Sequence, residues 1–412
     1  MTDHANPSGP SSLRVCVVGS GTRFLSGISV YTIRLGNALA LRHRVTIVTM
    51  RRLLPDRLYP GHRRIGQNLT DLSIAPGVER FDGIDWYWLP SLPRALAFLA
   101  RRRPQVLILQ WWSGTVLHSY LALSLIARLA RVRVIVEFHE VIDTGEARLG
   151  PARIYVRFLA PIVLHLASGF AVHSVFDHDL LRQNYRLGNR RPIAVLPHGP
   201  HDHYAAGDDP TASPSREAPD DAINLLFFGI IRPYKGLEVL VRAFDAISPD
   251  RIERYWLTVV GETWEGWSLP GELIAASRYR ERITFVNRYV SDSELAGHLA
   301  AADAVVLPYL RSSLSGPLHV AMGYGVPIVM TDVGGNGEAA EGYGGISLVP
   351  PSDEDALRRA IEALADGSRD RFAHPHSWEQ TAGAYDALFD RIGLPIEGLP
   401  ASDVASRGGL AL

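Results

Sequence analysis

The sequence predicts two α/β domains, each built on a parallel β-sheet that helices cover on both faces. Short apolar segments alternate with helical stretches over residues 14–196, and the alternation restarts at residue 225. Strands that are apolar along their whole length are typical of parallel sheets buried on both faces. A chain of 412 residues is also too long for one hydrophobic core, which favours two domains.

The predicted strands follow one another in a regular order. In the first half they span residues 14–19, 45–50, 106–110, 134–138, 170–173 and 193–196, with an amphipathic helix at 30–40 after the first strand. In the second half they span 225–229, 256–260, 283–285, 304–307 and 327–330, and a terminal helix begins near Ser377. Ligands of such sheets bind at the carboxyl ends of the strands, so two facing domains would hold a site in the cleft between them.

The composition between these periodic regions indicates the domain boundaries. Residues 200–222 are rich in Asp, Pro, Ser and His and contain almost no large apolar residues, which is typical of a linker. The prediction is therefore a disordered tail at 1–12, a first domain at 13–199, a linker at 200–222, a second domain at 223–376, a C-terminal helix at 377–392 and a flexible tail at 393–412.

The charge balance gives no electrostatic reason to bind nucleic acid, because the formal net charge is −1. Arginines cluster at 51–52, 63–64 and 101–103. These clusters are most simply interpreted as solvent-exposed surface. The more specific alternative is a patch that contacts an anionic membrane.

Cysteine usage and apolar stretches bear on location. The single cysteine, Cys16, lies in an apolar strand and is interpreted as a core residue, which fits a reducing compartment. The N-terminus has no apolar signal region, and arginines or a proline interrupt the longest apolar stretches, 116–136 and 158–172. We therefore expect a cytoplasmic protein, with a peripheral place at the inner membrane face as the alternative.

Three glycine-containing segments are candidates for binding an anion. Gly19-Ser20-Gly21 follows the first strand, but Phe24 replaces the third glycine of a dinucleotide motif, and no acidic residue ends the second strand. A nicotinamide enzyme is therefore disfavoured, and the loop 19–27 is interpreted either as a phosphate or sugar loop or as an ordinary turn. Ser315-Gly316 would offer backbone donors at the start of a helix in the same way.

The strongest local signal is the segment from Gly229 to Gly236, which follows a strand and leads into a helix. Arg232 can bind a diphosphate through a bidentate fork, and Lys235 can bind it as a point charge. Lys235 is the only lysine in a chain that otherwise uses arginine, so a chance surface lysine is a weaker explanation than usual.

The sequence resembles family 4 of the retaining glycosyltransferases, which has the GT-B fold of two facing Rossmann-like domains and an interdomain cleft. The resemblance implies that the first domain, 13–199, selects the acceptor and that the second, 223–376, binds the nucleotide-sugar donor. The similarity spans residues 13–392 and is most specific in the second domain, in the segments RPYKG (232–236), AADAVVLPY (301–309) and GYGVPIVMTDVGG (323–335). In the first domain the similar segments are SGISVY (26–31), EFHE (137–140) and LPHG (196–199). In the family, Ser377-Trp378-Glu379 begins a helix that crosses back to the first domain.

The resemblance implies a site by matching positions. Lys235 takes the position of the phosphate lysine, whereas the usual arginine position falls on Ile230, two residues before Arg232. His139 matches the histidine near the transferred sugar, with a buried strand-end histidine as the alternative. The remaining donor-binding candidates are Gly27, Gly229, Ser315, Gly316 and Glu338, the last with a capping role as its alternative.

One departure from the family pattern concerns its two glutamates. Their positions fall on Ser312, which would touch the donor sugar, and on Val320, which would bind the ribose hydroxyls. The identity of the donor is therefore open, and an inactive or repurposed member becomes an alternative.

The implied function is transfer of a sugar from a nucleoside-diphosphate sugar to an acceptor hydroxyl with retained configuration, in polysaccharide, glycolipid or glycoconjugate biosynthesis. The acceptor would be a carbohydrate, a lipid-linked molecule or a small molecule. No spacing of His, Cys or Asp suits a metal, and metal independence follows the family. Two alternatives stay open: a sugar-nucleotide epimerase using Glu140, Glu262 and Glu338, and a non-catalytic partner subunit.

Overall fold

The computed structural model describes residues 12–21, 27–52, 72–141, 150–188, 190–201, 217–264, 266–312, 315–367 and 370–396. Within them the chain forms two parallel β-sheets with helices on both faces, which confirms the predicted fold class. Residues 22–26 of the glycine loop and 202–216 of the predicted linker lie outside the described residues, as do most of the two predicted tails. None of the described helices is both long enough and apolar enough to cross a bilayer.

The first sheet has seven parallel strands in the order β3-β2-β1-β4-β5-β6-β7. The strands are β1 (Arg14–Ser20), β2 (Arg44–Arg52), β3 (Glu79–Asp85), β4 (Val106–Trp111), β5 (Arg133–Phe138), β6 (Gly169–Val172) and β7 (Ile193–Val195). Its helices are α1 (Gly27–Ala40), α2 (Ser91–Arg102), α3 (Leu117–Leu129), α4 (Gly150–Leu166) and α5 (Val175–Asn184).

The second sheet has six parallel strands in the order β10-β9-β8-β11-β12-β13. The strands are β8 (Ile223–Phe228), β9 (Tyr255–Val260), β10 (Ile283–Val286), β11 (Ala304–Leu307), β12 (Ile328–Thr331) and β13 (Ile346–Val349). Its helices are α6 (Leu237–Asp245), α7 (Leu269–Ala276), α8 (Asp292–Ala301), α9 (Gly316–Tyr324), α10 (Asn336–Ala339) and α11 (Glu354–Ala363).

The last helix, α12 (Trp378–Arg391), packs on the first sheet although it follows the second in sequence. A capping box starts it, in which Ser377 and Gln380 each accept from the other's backbone amide. Its buried face joins the core beneath α1, and the buried Asp386 pairs with His43 at 2.7 Å. The indole of Trp378 donates to the carbonyl of Pro200 at 2.9 Å, which fixes the helix start against the end of the first domain.

Gly236 shows how closely the second sheet packs behind its phosphate segment. Its φ of 66° is left-handed, and a Cβ at this position would lie 2.0 Å from the carbonyl oxygen of Pro308. The glycine therefore lets the turn after β8 pack directly against the end of β11, and the two strand ends that carry the motifs are held together.

Candidate active site

A cavity of about 410 Å³ opens between the two domains at the carboxyl ends of their strands. The first domain lines it with residues from the start of α1, the end of β4, the end of β5 and the segment after β7. The second lines it with residues from the turn after β8, the end of β9, the region between β10 and α8, and the start of α9. Among the lining residues are six of the sequence candidates: Gly27, His139, Gly229, Arg232, Lys235 and Gly316.

Lys235 is a buried cation at the edge of this cavity. Its side chain is 7% exposed, and burial, with a smaller contribution from nearby Arg232, lowers its pKa to about 8. No carboxylate pairs with it in the described part of the chain; its ammonium lies 5.5 Å from the ring centroid of Tyr309. A buried charge that the protein does not neutralise calls for an anion, and the cavity is where that anion can enter.

Arg232 and Gly229 complete this side of the cavity. The guanidinium of Arg232 lies 5.4 Å from the ring centroid of Tyr234, which holds it beside Lys235. Gly229 has a φ of 99°, and a Cβ there would lie 3.2 Å from the Lys235 Nζ. The glycine therefore leaves open the space directly in front of the ammonium.

The start of α9 faces the same space. Gly316 and Pro317 line the cavity, and Pro317 lies 3.4 Å from the position of a Cβ on Gly229. The hydroxyl of Ser315 is not aimed at the cavity but caps its own helix, because it accepts from the amide of Leu318 at 3.2 Å. Since proline has no N–H, the amides of Ser315 and Gly316 are the first donors of this helix.

His139 follows β5 and is 3% exposed, yet it lines the cavity. Neither of its ring nitrogens has a hydrogen-bond partner among the described residues. Burial, followed by the neighbouring His173 and His201, holds its pKa well below the usual value, so the ring is neutral. A neutral imidazole can both donate to and accept from sugar hydroxyls. The position fits both interpretations of this histidine, and its role in the site stays a prediction.

Glu137 lies behind His139, and the sequence motifs do not single it out. Its carboxylate accepts from the hydroxyl of Tyr31 at 2.6 Å and from the amide of Gln110 at 3.2 Å. Burial outweighs these bonds and raises the pKa of Glu137 to about 7. Glu137, His139 and His173 each offer a metal-ligand atom within 4.8 Å of the others, a group that the sequence spacing does not reveal. Both carboxylate oxygens are already hydrogen-bonded to protein donors, which accounts for this buried acid without an ion.

A stacked pair of histidines joins the two domains beside the cavity. The rings of His198, before the linker, and His319, on α9, have centroids 3.7 Å apart and an interplanar angle of 13°. Both are buried, and burial is the main cause of their low pKa values. His319 therefore faces the other domain, whereas its neighbour Val320 lines the cavity.

Glu338 lies outside the cavity lining, so its position does not support the donor-binding assignment. Its carboxylate accepts from the amides of Val175 at 2.5 Å and Phe176 at 2.9 Å. Those amides begin α5, so Glu338 caps a helix of the opposite domain, where the positive end of the helix dipole favours an anion. The capping alternative fits this geometry.

The epimerase alternative requires several carboxylates in one cleft. Glu140 and Glu262 line the cavity, and Glu262 accepts from the indole of Trp264 at 2.9 Å, but Glu338 does not join them.

Of the tryptophans near the strand ends of the first domain, Trp112 lines the cavity and Trp111 is buried in the core.

Two family models match this chain, and both describe glycosyltransferase domains. Residues 26–199 match the model of the glycosyl transferase 4-like domain, and residues 222–366 match that of the glycosyl transferases group 1. The sucrose-phosphate synthase of Thermosynechococcus elongatus has a similar fold, with a TM-score of 0.60, 18% identity and coverage of 93% of this chain and 95% of that one.

Two curated relatives are similar in sequence over part of their length. The chain is 32% identical over 249 residues to a D-inositol 3-phosphate glycosyltransferase of Stackebrandtia nassauensis, covering 55% of each. It is 31% identical over 172 residues to a GDP-mannose:glycolipid 4-beta-D-mannosyltransferase of Xanthomonas campestris, covering 40% of this chain and 46% of that protein. The chain thus matches about half the length of these relatives.

Proposed function

The chain belongs to family 4 of the glycosyltransferases, and on that basis we propose that it transfers a sugar from a nucleoside diphosphate to an acceptor hydroxyl with retained configuration. The observation that carries the proposal is Lys235, a buried cation beside Arg232 that no described carboxylate pairs with and that opens onto the interdomain cavity. A diphosphate supplies the charge that this place lacks.

The barrier of such a transfer lies largely in expelling the diphosphate while positive charge builds on the sugar. Lys235, Arg232 and the first amides of α9 would neutralise the departing charge, and preorganised groups of this kind are usually the largest catalytic contribution. A leaving phosphate oxygen would take the proton of the acceptor hydroxyl, as the family implies, without a protein nucleophile. The two cations would themselves neutralise the diphosphate, which supports the proposal of a metal-independent reaction.

The relatives narrow the class of substrates. One is named for a GDP-mannose donor and a glycolipid acceptor, the other for an inositol phosphate acceptor. A nucleotide sugar as donor and a lipid-linked or small-molecule acceptor are therefore the substrates we propose. The pathway would be glycolipid, polysaccharide or glycoconjugate synthesis.

A donor screen by thermal shift, followed by product analysis, tests the proposed function. A donor at about 100 times its dissociation constant should stabilise the chain by about 2.7 kcal/mol. With that donor, nucleoside diphosphate release should depend on an added acceptor, and the glycoside should form. An altered sugar nucleotide without any acceptor would instead indicate an epimerase. Binding without turnover across donors and acceptors would indicate a non-catalytic partner.

The valine at position 320 leads to a prediction about the ribose. A glutamate there would accept from the ribose hydroxyls, but valine accepts nothing, so weak discrimination between ribo and 2′-deoxyribo donors is expected. A thymidine-diphosphate sugar then becomes a plausible natural donor. The measurement is kcat/KM for the uridine-diphosphate and deoxyuridine-diphosphate forms of the accepted sugar.

The controls for the ribose prediction follow from the structure. His319 is stacked on His198 and does not line the cavity, whereas Asp292 and Glu262 do. A Val320→Glu variant should raise the preference for ribose if the position is the one that matters. A preference above about a hundredfold in the unaltered protein, ~2.7 kcal/mol, would mean that another residue binds the ribose and that Val320 does not decide donor choice.

A further inference from the structure

Two neighbouring helices of the first domain expose large apolar side chains to solvent. On α3 these are Leu125, Ile126 and Leu129, and on α4 they are Ile154, Phe158 and Ile162. Leu129 is 85% exposed and Phe158 is 68% exposed. Scattered apolar residues are normal on a surface, but six on two adjoining helices form a patch that requires an explanation.

The two helices lie side by side on one face of the first sheet, because they connect neighbouring parallel strands, β4 to β5 and β5 to β6. Ile154, Phe158 and Ile162 are spaced i, i+4 and i+8, so they form one stripe along α4. The opposite face of α4 carries Val163 and Leu164, which are buried in the first core. Helices α3 and α4 pack against each other, and the three apolar residues of α3 lie in its last two turns. We call the six residues and the arginines beside them the α3/α4 face.

The charges of this face all have one sign. Arg128 and Arg131 lie at the end of α3 and just beyond it, and Arg153 and Arg157 precede two of the stripe residues on α4; all four are exposed. Neither helix contains an aspartate or a glutamate in its sequence. The chain as a whole is nearly neutral, with a formal net charge of −1, so two helices that carry arginines and no acidic residue differ from its average charge balance.

We propose that the α3/α4 face docks on an anionic lipid surface. Apolar side chains entering the headgroup region with arginines beside them are typical of helices that lie on a membrane without crossing it. The long arginine stems can lie along the apolar surface while their guanidinium groups reach lipid phosphates. Charge complementarity selects lipid over a second copy of the chain, because a second copy would bring the same arginines against these.

The α3/α4 face is distinct from the three arginine clusters identified in the sequence, at 51–52, 63–64 and 101–103. Of those, residues 63–64 lie outside the described part of the chain, and residues 101–103 end α2. The α3/α4 face lies on the first domain. Helix α4 begins at Gly150, eleven residues after the cavity-lining His139. Docking would therefore bring the domain that selects the acceptor in this family to the surface where a lipid-linked acceptor resides.

Flotation of the purified full chain with vesicles tests the proposal. The chain should float with vesicles that contain 30% phosphatidylglycerol in phosphatidylcholine, and far less with phosphatidylcholine alone. Raising the salt from 0.05 to 0.5 M should release it. An Arg153→Gln/Arg157→Gln variant and an Ile154→Ser/Phe158→Ser/Ile162→Ser variant should each lower the partition coefficient by roughly tenfold or more.

A matched control removes the same charge elsewhere. Arg359 is exposed on the second domain and Arg391 is exposed at the end of α12, on the other face of the first sheet, so Arg359→Gln/Arg391→Gln should float as the unaltered chain does. Melting temperatures of all the variants should agree, because the replaced side chains are exposed. Equal flotation of the α3/α4 variants and the control, or no binding to anionic vesicles, would overturn the proposal. So would a dimer in solution that the α3/α4 variants abolish, since it would show a second copy on this face.

Discussion

Replacing Lys235 with alanine is expected to lower kcat by about two to three orders of magnitude, which corresponds to about 2.7–4 kcal/mol of transition-state stabilisation. The ammonium is buried at the cavity, and the described carboxylates leave it without an ion-pair partner. The leaving diphosphate gains charge in the transition state, so kcat should fall more than KM rises. Steady-state kinetics with the donor found by thermal shift give both constants.

Two further measurements help to interpret the Lys235→Ala result. Arg232→Ala examines the arginine displaced from the usual position, and a similar loss of kcat would assign it to the same anion. The melting temperature of Lys235→Ala should not fall much, because removing a buried, partly uncompensated charge relieves a desolvation cost. A purified Lys235→Ala protein with near-normal kcat would remove Lys235 from the chemistry.

Replacing His139 with alanine is expected to abolish most of the transfer while leaving the fold intact. The imidazole lines the cavity, and none of the described residues hydrogen-bonds to its nitrogens, so its loss breaks no hydrogen bond within the described protein. If it contacts the transferred sugar or the acceptor, the rate depends on it. Specific activity and melting temperature must be measured on the same preparation.

His43 provides the matched control for His139. It is equally buried but pairs with Asp386 at 2.7 Å beneath α12 and does not line the cavity. His43→Ala should therefore lower the melting temperature, since it leaves a buried carboxylate without that partner, and should preserve kcat at temperatures where the protein is folded. A His139→Ala variant that behaves in the same way, with a large fall in melting temperature and intact activity, would show that His139 is a structural core residue.

The sequence predicts the central strands of both sheets and the edge strands β7 and β10, but it misses the edge strands β3 and β13. Central strands such as β4 and β8 are buried along their whole length, so the apolar run alone identifies them. The edge strand β3 carries Glu79, Arg80 and Asp82, and the edge strand β13 is mostly exposed. A strand that is covered less completely has no unbroken apolar run, and only its pairing with β2 or β12 reveals it.

Some residues of the candidate site can be predicted from a local sequence motif, whereas others are brought together only by the fold. Lys235, Arg232 and Gly229 are close in sequence, so a local motif can reveal them. Glu137 with His173, and His198 with His319, are brought together by neighbouring strand ends or by the meeting of two domains. The capping contact of Glu338 likewise depends on how the domains face each other. Sequence spacing contains none of this information.

Because the chain has a single lysine, the site can be labelled selectively by reagents that react with amines. An amine-selective acylating reagent has only two kinds of target in this chain, the terminal α-amino group and the Lys235 Nζ. Because the pKa of Lys235 is lowered to about 8, a substantial fraction of its amine is unprotonated, and therefore nucleophilic, in mildly alkaline buffer. Acylation at this one position, read by mass spectrometry, thus becomes a direct footprint of the cavity, and any ligand that covers the ammonium protects it without a coupled assay or a radioactive donor.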